Sequence, residues 1–152
     1  MNEKIQIATT TSDNIDFLFL ITALDASLWE RYPELKTNYW GNNIVEFNPN
    51  VVVIYLDEKP VGCGCFKKYD KNTIEIKRMF VSPQARGLGL AKKILLELEL
   101  RASELGYSFS VLETLFKQIE AINLYQKVGY AIIDNYEPYV GLENSICMKK
   151  QI

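Results

Sequence analysis

Residues 73–91 read TIEIKRMFVSPQARGLGLA, and the fold turns on this stretch. Thr73 to Val81 carries the alternation and the β-branched and aromatic side chains of a strand. Ser82-Pro83 ends the ladder, and Gln84-Ala85-Arg86-Gly87-Leu88-Gly89 empties directly into a second pattern. There Leu88, Ala91, Leu95, Leu98, Ala102 and Leu105 recur at spacings of 3, 4, 3, 4 and 3, with Ile94 widening the stripe. That spacing predicts a long amphipathic helix packed on a sheet. A strand entering a helix through two glycines leaves several backbone N–H groups unpaired at the positive end of the helix dipole. Phosphate is the natural guest, because glycine at 87 and 89 carries no side chain to keep it from the backbone.

Working outward, Ile5 to Ala8 predicts a short strand, and Thr10-Thr11-Ser12-Asp13 supplies candidate helix caps. Phe17, Ile21, Leu24 and Leu28 then mark one buried helical face ending near Pro33. Residues 33–50 read as a loop with a short helix. Val51 to Leu56, the turn Asp57-Glu58-Lys59 and Val61 to Lys68 form a hairpin, and Tyr69 to Asn72 turn the chain into Thr73 to Val81 as the third strand of a meander. Beyond the long helix Gly106 is a left-handed stop. A helical crossover makes Phe109 to Thr114 a strand parallel to Thr73 to Val81. A helix from Ile119 to Val128 ends at Gly129, and Tyr130 to Ile133 and Ser145 to Lys149 complete the sheet. No repeat or linker interrupts the pattern, so the expectation is a single mixed α/β domain over residues 1–152.

Composition narrows the chemistry. The chain has no histidine, which excludes His-based triads, His-rich zinc sites and imidazole bases. Cys63 and Cys65 lie on one face of a strand, too constrained for an easy bridge, and with Cys147 they read as reduced core residues. No apolar run reaches the roughly 18 residues of a membrane span, and MNEKIQIATTT has no apolar leader, which points to a cytoplasmic protein with no membrane partner. The net charge of −2 divides into +6 over residues 67–93 and −8 elsewhere. The aromatic residues near that basic segment are too scattered for a base-stacking platform, which argues against nucleic acid and leaves a phosphorylated cofactor or only water.

Three phosphate-binding patterns compete for the glycine loop. A Walker A loop needs a Gly-Lys-Ser/Thr ending that the sequence after Gly87 lacks. A dinucleotide fingerprint needs a small residue where Lys92 stands. The remaining pattern, with Gln84, Gly87 and Gly89 matching position by position, resembles the coenzyme A loop of the GNAT N-acetyltransferase superfamily. VGCGCF, LGYSFSVLET, QIEAINLYQKVGY and SICMKK look like further blocks of a bacterial single-domain branch of it, covering roughly residues 51–150. Leu115 and Lys117 depart from that branch. The resemblance implies a central, mostly antiparallel sheet splayed between its fourth and fifth strands and flanked by about four helices. It implies direct transfer of acetyl from acetyl-CoA to the primary amine of a small molecule, without a covalent enzyme intermediate or a metal, and it leaves a homodimer open. GYAIIDNYEPY is similar to ribosomal-protein acetyltransferases, so a protein N-terminus is an alternative acceptor. A catalytically silent acyl-CoA-binding module is another alternative reading.

The reaction asks for a base, an oxyanion donor and an acid. A carboxylate inside TIEIKRMFV is costly unless it faces water or has work to do, which singles out Glu75 as base, with Glu113 second. Tyr125 lies on the apolar side of its helix with a hydroxyl needing a partner, and by resemblance it reaches the sulfur of coenzyme A as acid. The superfamily's strand bulge makes the N–H of Phe80 or a neighbour the oxyanion donor. Met79, Phe80, Val81, Gln84, Ala85, Arg86, Gly87, Leu88, Gly89, Leu90 and Ala91 are the implied coenzyme A contacts, joined by Tyr125. Lys92 and Lys93 are further candidates for the phosphates. Arg31, Tyr32, Glu75, Tyr136 and Tyr139 are the implied acceptor contacts, in segments that also contain Trp29 and Glu30.

Overall fold

The computed structural model describes residues 4–33 and 46–152. Its elements are β1 (Ile5–Thr10), α1 (Ile15–Arg31), β2 (Val51–Leu56), β3 (Lys59–Asp70), β4 (Thr73–Val81), α2 (Leu90–Glu104), β5 (Phe109–Leu115), α3 (Ile119–Lys127), β6 (Ala131–Ile133) and β7 (Ser145–Gln151). The strands form a seven-stranded sheet in the order β1-β2-β3-β4-β5-β7-β6. The mixed α/β class is as expected. Three α-helices stand among the described residues, and the fourth, expected within 33–50, falls largely on residues 34–45, outside them.

Two compact units make up the chain: one contains residues up to Phe66 and Lys77–Leu98, the other Lys67–Ile76 and Glu99–Ile152. In the first unit β2 pairs antiparallel with β1 and β3. The hairpin between β2 and β3 turns on Asp57 and Glu58, both at positive φ (50° and 69°), as a tight two-residue connection requires. VGCGCF is a strand with two functions, one per face. Cys63 and Cys65 join Phe17, Leu20, Ile21, Leu24, Val51, Val53 and Phe80 in one core. Gly62 and Gly64 lie beneath α2: a Cβ at 62 would come within 3.0 Å of Ile94, and one at 64 within 2.6 Å of the Met79 sulfur and 3.0 Å of Leu98. The alternate glycines therefore make room for the helix that follows the loop.

The long helix begins at Leu90, two residues later than the leucine spacing suggests. Leu90, Ile94, Leu95, Leu98 and Ala102 are its buried side, whereas Leu88 and Leu105, just outside its ends, are exposed. At α1 the cap is Asn14, whose side chain accepts from the amides of Asp16 and Phe17. None of Thr10 to Asp13 takes that role, because Ser12 Oγ instead accepts the amide of Asn48 at 2.7 Å.

In the second unit β4 and β5 pair in parallel over three residues only, Thr73 with Phe109, Ile74 with Ser110 and Glu75 with Val111. β7 runs antiparallel to both β5 and β6. Gly106 (φ 96°) and Gly129 (φ 106°) end α2 and α3 in the left-handed conformation glycine tolerates.

Candidate functional site

The register of the second unit puts Glu75, Val111, Glu113 and Cys147 on one sheet face, since Glu75 pairs with Val111 and Glu113 with Cys147. Glu75 is 1% exposed, in a run of four buried residues from Thr73 to Ile76, so it does not stand at an open strand face. A buried carboxylate must be hydrogen-bonded or paired. The Tyr136 hydroxyl donates to Glu75 Oε2 at 2.8 Å, the Tyr139 hydroxyl also hydrogen-bonds it, and Lys67 Nζ stands 3.7 Å from Oε1. Burial and the Glu75 charge push both phenols far above the ordinary tyrosine range, so both remain donors. The rings of Tyr69, Tyr136 and Tyr139 meet edge to face, 5.0 and 5.4 Å between centroids. Four of the expected residues thus share a neighbourhood: Glu75, Tyr136 and Tyr139 in direct contact, and Glu113, whose charge acts on Tyr139. Lys67, Tyr69, Ser145 and Cys147 belong to it without having been expected.

Glu113 accepts the Ser145 hydroxyl at 2.7 Å. Cys147 is fully buried and its thiol is pushed up to about 11 by burial, with the charges of Glu113 and Glu75 adding to it. All three cysteines are buried thiols outside any disulfide, as core residues.

Tyr125 is 8% exposed on α3, and its hydroxyl makes no hydrogen bond to a described residue. Burial, then the Glu113 charge, raises it to about 12. It holds its proton and can give it to something else. Its neighbour Tyr130, ring centroids 6.0 Å apart, differs: its hydroxyl donates to Glu99 Oε2 (2.8 Å) and meets Ser110 Oγ (2.7 Å), while Lys150 donates to Glu99 Oε1 (2.7 Å). That closed network is structural.

In the first unit a short 3₁₀ turn, Pro83–Ala85, leads β4 into the glycine loop. Ala85 is buried, Gln84 and Arg86 are exposed, and Arg86 Nε donates back to the Val81 carbonyl at 3.0 Å. Gly87 (φ 84°) and Gly89 (φ 75°) are left-handed, and a Cβ on either would meet no protein atom within 4 Å. The amides of Gly87, Leu88 and Gly89 donate to no backbone carbonyl among the described residues. Open donors beside open space at a helix start form an anion cradle. Lys92 and Lys93 are exposed in the first turn of α2.

Within β4, Arg78 stands at φ 59°, a conformation that costs a side-chain-bearing residue roughly 1–3 kcal/mol. Arg78 stands one residue before Met79 and two before Phe80, in a strand that runs from Thr73 to Val81. Arg78 forms an ion pair with Asp25 of α1, and its carbonyl accepts the Cys63 thiol at 3.5 Å. Arg31 and Tyr32, expected at the acceptor, close α1 in this same unit, with the Arg31 guanidinium 5.7 Å from the Tyr32 ring centroid.

A sheet of this order whose fourth strand empties through a two-glycine loop into a helix is that of the acyl-CoA N-acyltransferases. The family model for the acetyltransferase (GNAT) family matches residues 16–130. An IAA acetyltransferase of Azospirillum brasilense is 32% identical over 136 residues, 88% of each chain. A Klebsiella pneumoniae structure assigned to the acyl-CoA N-acyltransferases is 28% identical, with a TM-score of 0.75 over 98% of this chain and 97% of that one. A GNAT family acetyltransferase of Elizabethkingia anophelis, solved with acetyl-CoA bound, shares the fold at 20% identity (TM-score 0.69, 97% and 98% coverage). The chain belongs to the acetyltransferase (GNAT) family and is an acetyl-CoA-dependent acyltransferase. The glycine loop fits that cosubstrate: the amides of Gly87, Leu88 and Gly89 donate to no backbone carbonyl among the described residues, and the missing Cβ atoms at 87 and 89 leave open space for a pyrophosphate.

Proposed function

We propose that the chain acetylates the primary amine of a small molecule by direct transfer. The observation that carries this reading is Glu75: a carboxylate 1% exposed, gripped by two tyrosine hydroxyls and faced by a lysine at 3.7 Å, is maintained at a cost the fold does not otherwise need. Acetyl-CoA brings an acetyl group already activated as a thioester. Glu75 accepts the proton that the nitrogen sheds as its bond to the acetyl carbon forms. Tyr125, its hydroxyl unpartnered among the described residues and its proton retained to about pH 12, protonates the sulfur as the carbon–sulfur bond breaks. Solvent returns the proton from Glu75 to Tyr125, so no group on the chain is consumed. The amide of Phe80 or a neighbour, beyond the left-handed Arg78, donates to the developing oxyanion. The amides of residues 87–91 hold the pyrophosphate, that of Arg86 being committed to the Pro83 carbonyl, with Gln84 and Ala85 at the entrance to the loop, and Met79, Val81, Leu88, Leu90 and Ala91 are the further coenzyme A contacts in this reading. Tyr136 and Tyr139 present the acceptor to Glu75, and Arg31 and Tyr32 are the candidates for its far end.

The test is thiol release from acetyl-CoA across amino acids, polyamines, aminoglycosides and aryl amines. Turnover with at least one amine, lost in Glu75→Gln with acetyl-CoA binding intact, supports the reading. Tight acetyl-CoA binding with no turnover on any amine, and turnover on a peptide N-terminus instead, would replace it.

A further inference from the structure

We propose that Asp25 is a positioning residue for acetyl transfer: through its ion pair with Arg78 it holds β4 in the left-handed turn that aims the Phe80 amide. The inference rests on the reading that an amide at or beside Phe80 donates to the acetyl carbonyl.

Three residues other than glycine have positive φ among the described residues. Asp57 and Glu58 form a hairpin turn that demands it, and Arg78 lies inside a strand. A left-handed residue rotates the next peptide out of the strand's plane, which redirects the N–H groups that follow. An Arg has no intrinsic reason to stay there, since its Cβ disfavours the conformation. At least two contacts hold it. The guanidinium, its side chain 7% exposed, is paired with Asp25, itself 21% exposed, and the Arg78 carbonyl accepts the Cys63 thiol. Each contact is anchored in the core: Leu24, the neighbour of Asp25, packs with Phe17, Leu20 and Ile21 against Val51, Val53 and Cys63, and Phe80 is in that same cluster. Relaxing φ at Arg78 would break contacts at both the side chain and the carbonyl. The pair thus transmits the rigidity of the core to Met79 and Phe80, the stretch of strand whose amide donates to the oxyanion in the proposed mechanism.

A pair that merely fills the core makes a different prediction from one that fixes a dihedral angle, and two variants separate them. Arg78→Gly and Arg78→Ala both delete the guanidinium, but only glycine takes φ 59° freely. The readout is the infrared carbonyl band of acetyl-CoA carrying ¹³C at the carbonyl, bound to the whole chain, with affinity followed by calorimetry. A hydrogen bond from the strand amide lowers that band. Arg78→Gly is expected to retain the wild-type band, and Arg78→Ala and Asp25→Asn to move it to higher frequency, with affinity for acetyl-CoA changed less than threefold. Asp25→Ala is expected to follow Asp25→Asn, and the double variant Asp25→Ala with Arg78→Gly to regain the wild-type band. Equal bands in Arg78→Gly and Arg78→Ala, or a wild-type band in Asp25→Asn, would overturn the role of Asp25 and leave the strand-amide donor standing. A wild-type band at the frequency of acetyl-CoA in an aprotic solvent would overturn the donor itself, and the inference with it.

Discussion

Replacing Tyr125 by Phe removes one oxygen from a buried ring and, among the described residues, no hydrogen bond. An internal hydrogen bond is worth about 0.5–1.5 kcal/mol, and here none is lost, so folding stability should stay within about 0.5 kcal/mol of wild type. Catalysis should not be spared. General-acid assistance typically contributes on the order of 100-fold or more, roughly 2.7 kcal/mol of barrier, and kcat should fall by about that factor with acetyl-CoA affinity unchanged. Tyr130→Phe is the matched control on a ring 6.0 Å away. It deletes the donor to Glu99 and the contact with Ser110, leaving a buried carboxylate with Lys150 alone, and should cost about 1–3 kcal/mol of stability with a smaller effect on kcat. The assay is thiol release at saturating substrates, beside denaturant unfolding of each variant. Because Tyr125 is held protonated to about 12, it should impose no alkaline fall in kcat below about pH 11. A drop below threefold where chemistry limits turnover, or an equal loss in Tyr130→Phe at full stability, would refute the role of Tyr125.

Gly89→Val should abolish coenzyme A binding by calorimetry: the added carbons meet no protein atom, so beyond roughly 1–2 kcal/mol of backbone strain the loss measures a clash with the ligand. Glu75→Gln should lower kcat by at least about 100-fold, whereas Glu113→Gln, which retains an acceptor for Ser145, should lower it less than about threefold. The reverse pattern would exchange the two roles. Above pH 10 the chain should lose stability as pH rises, because Tyr125, Tyr130, Tyr136 and Tyr139 keep their protons when folded and release them near 10 when unfolded, so the unfolded chain binds fewer protons. Tyr125 alone contributes about 2 kcal/mol of that loss by pH 12, and tyrosinate absorbance should rise together with unfolding and not before it.

Local pattern carried most of the fold. Thr73–Val81 begins and ends where its side-chain alternation and Ser82-Pro83 place it, because strand geometry and a proline act on their own residues. The errors arise where distant groups decide. Asn14 caps α1 because Ser12 is committed to Asn48, 36 residues away. Leu88 matched the helical period, yet Gly89 at φ 75° keeps it outside the helix.

The same division runs through the site, and it separates the parts of an enzyme that sequence reveals from those it conceals. The glycine loop was legible because it acts through the backbone, whose freedom at residues 87 and 89 is a property of those residues themselves. Glu75 was legible as an anomaly, a charge in a strand. Its actual state was not, since its burial depends on Tyr136, 61 positions away, and on Tyr139, neither of which alters the local pattern. Asp25 was the least legible: beside Leu24 it reads as the polar margin of an amphipathic helix, and it acquires a role only because Arg78 adopts a conformation no arginine announces. Groups that act through the backbone are therefore read first, and side chains whose meaning lies in a partner are read only once the chain has brought that partner to them.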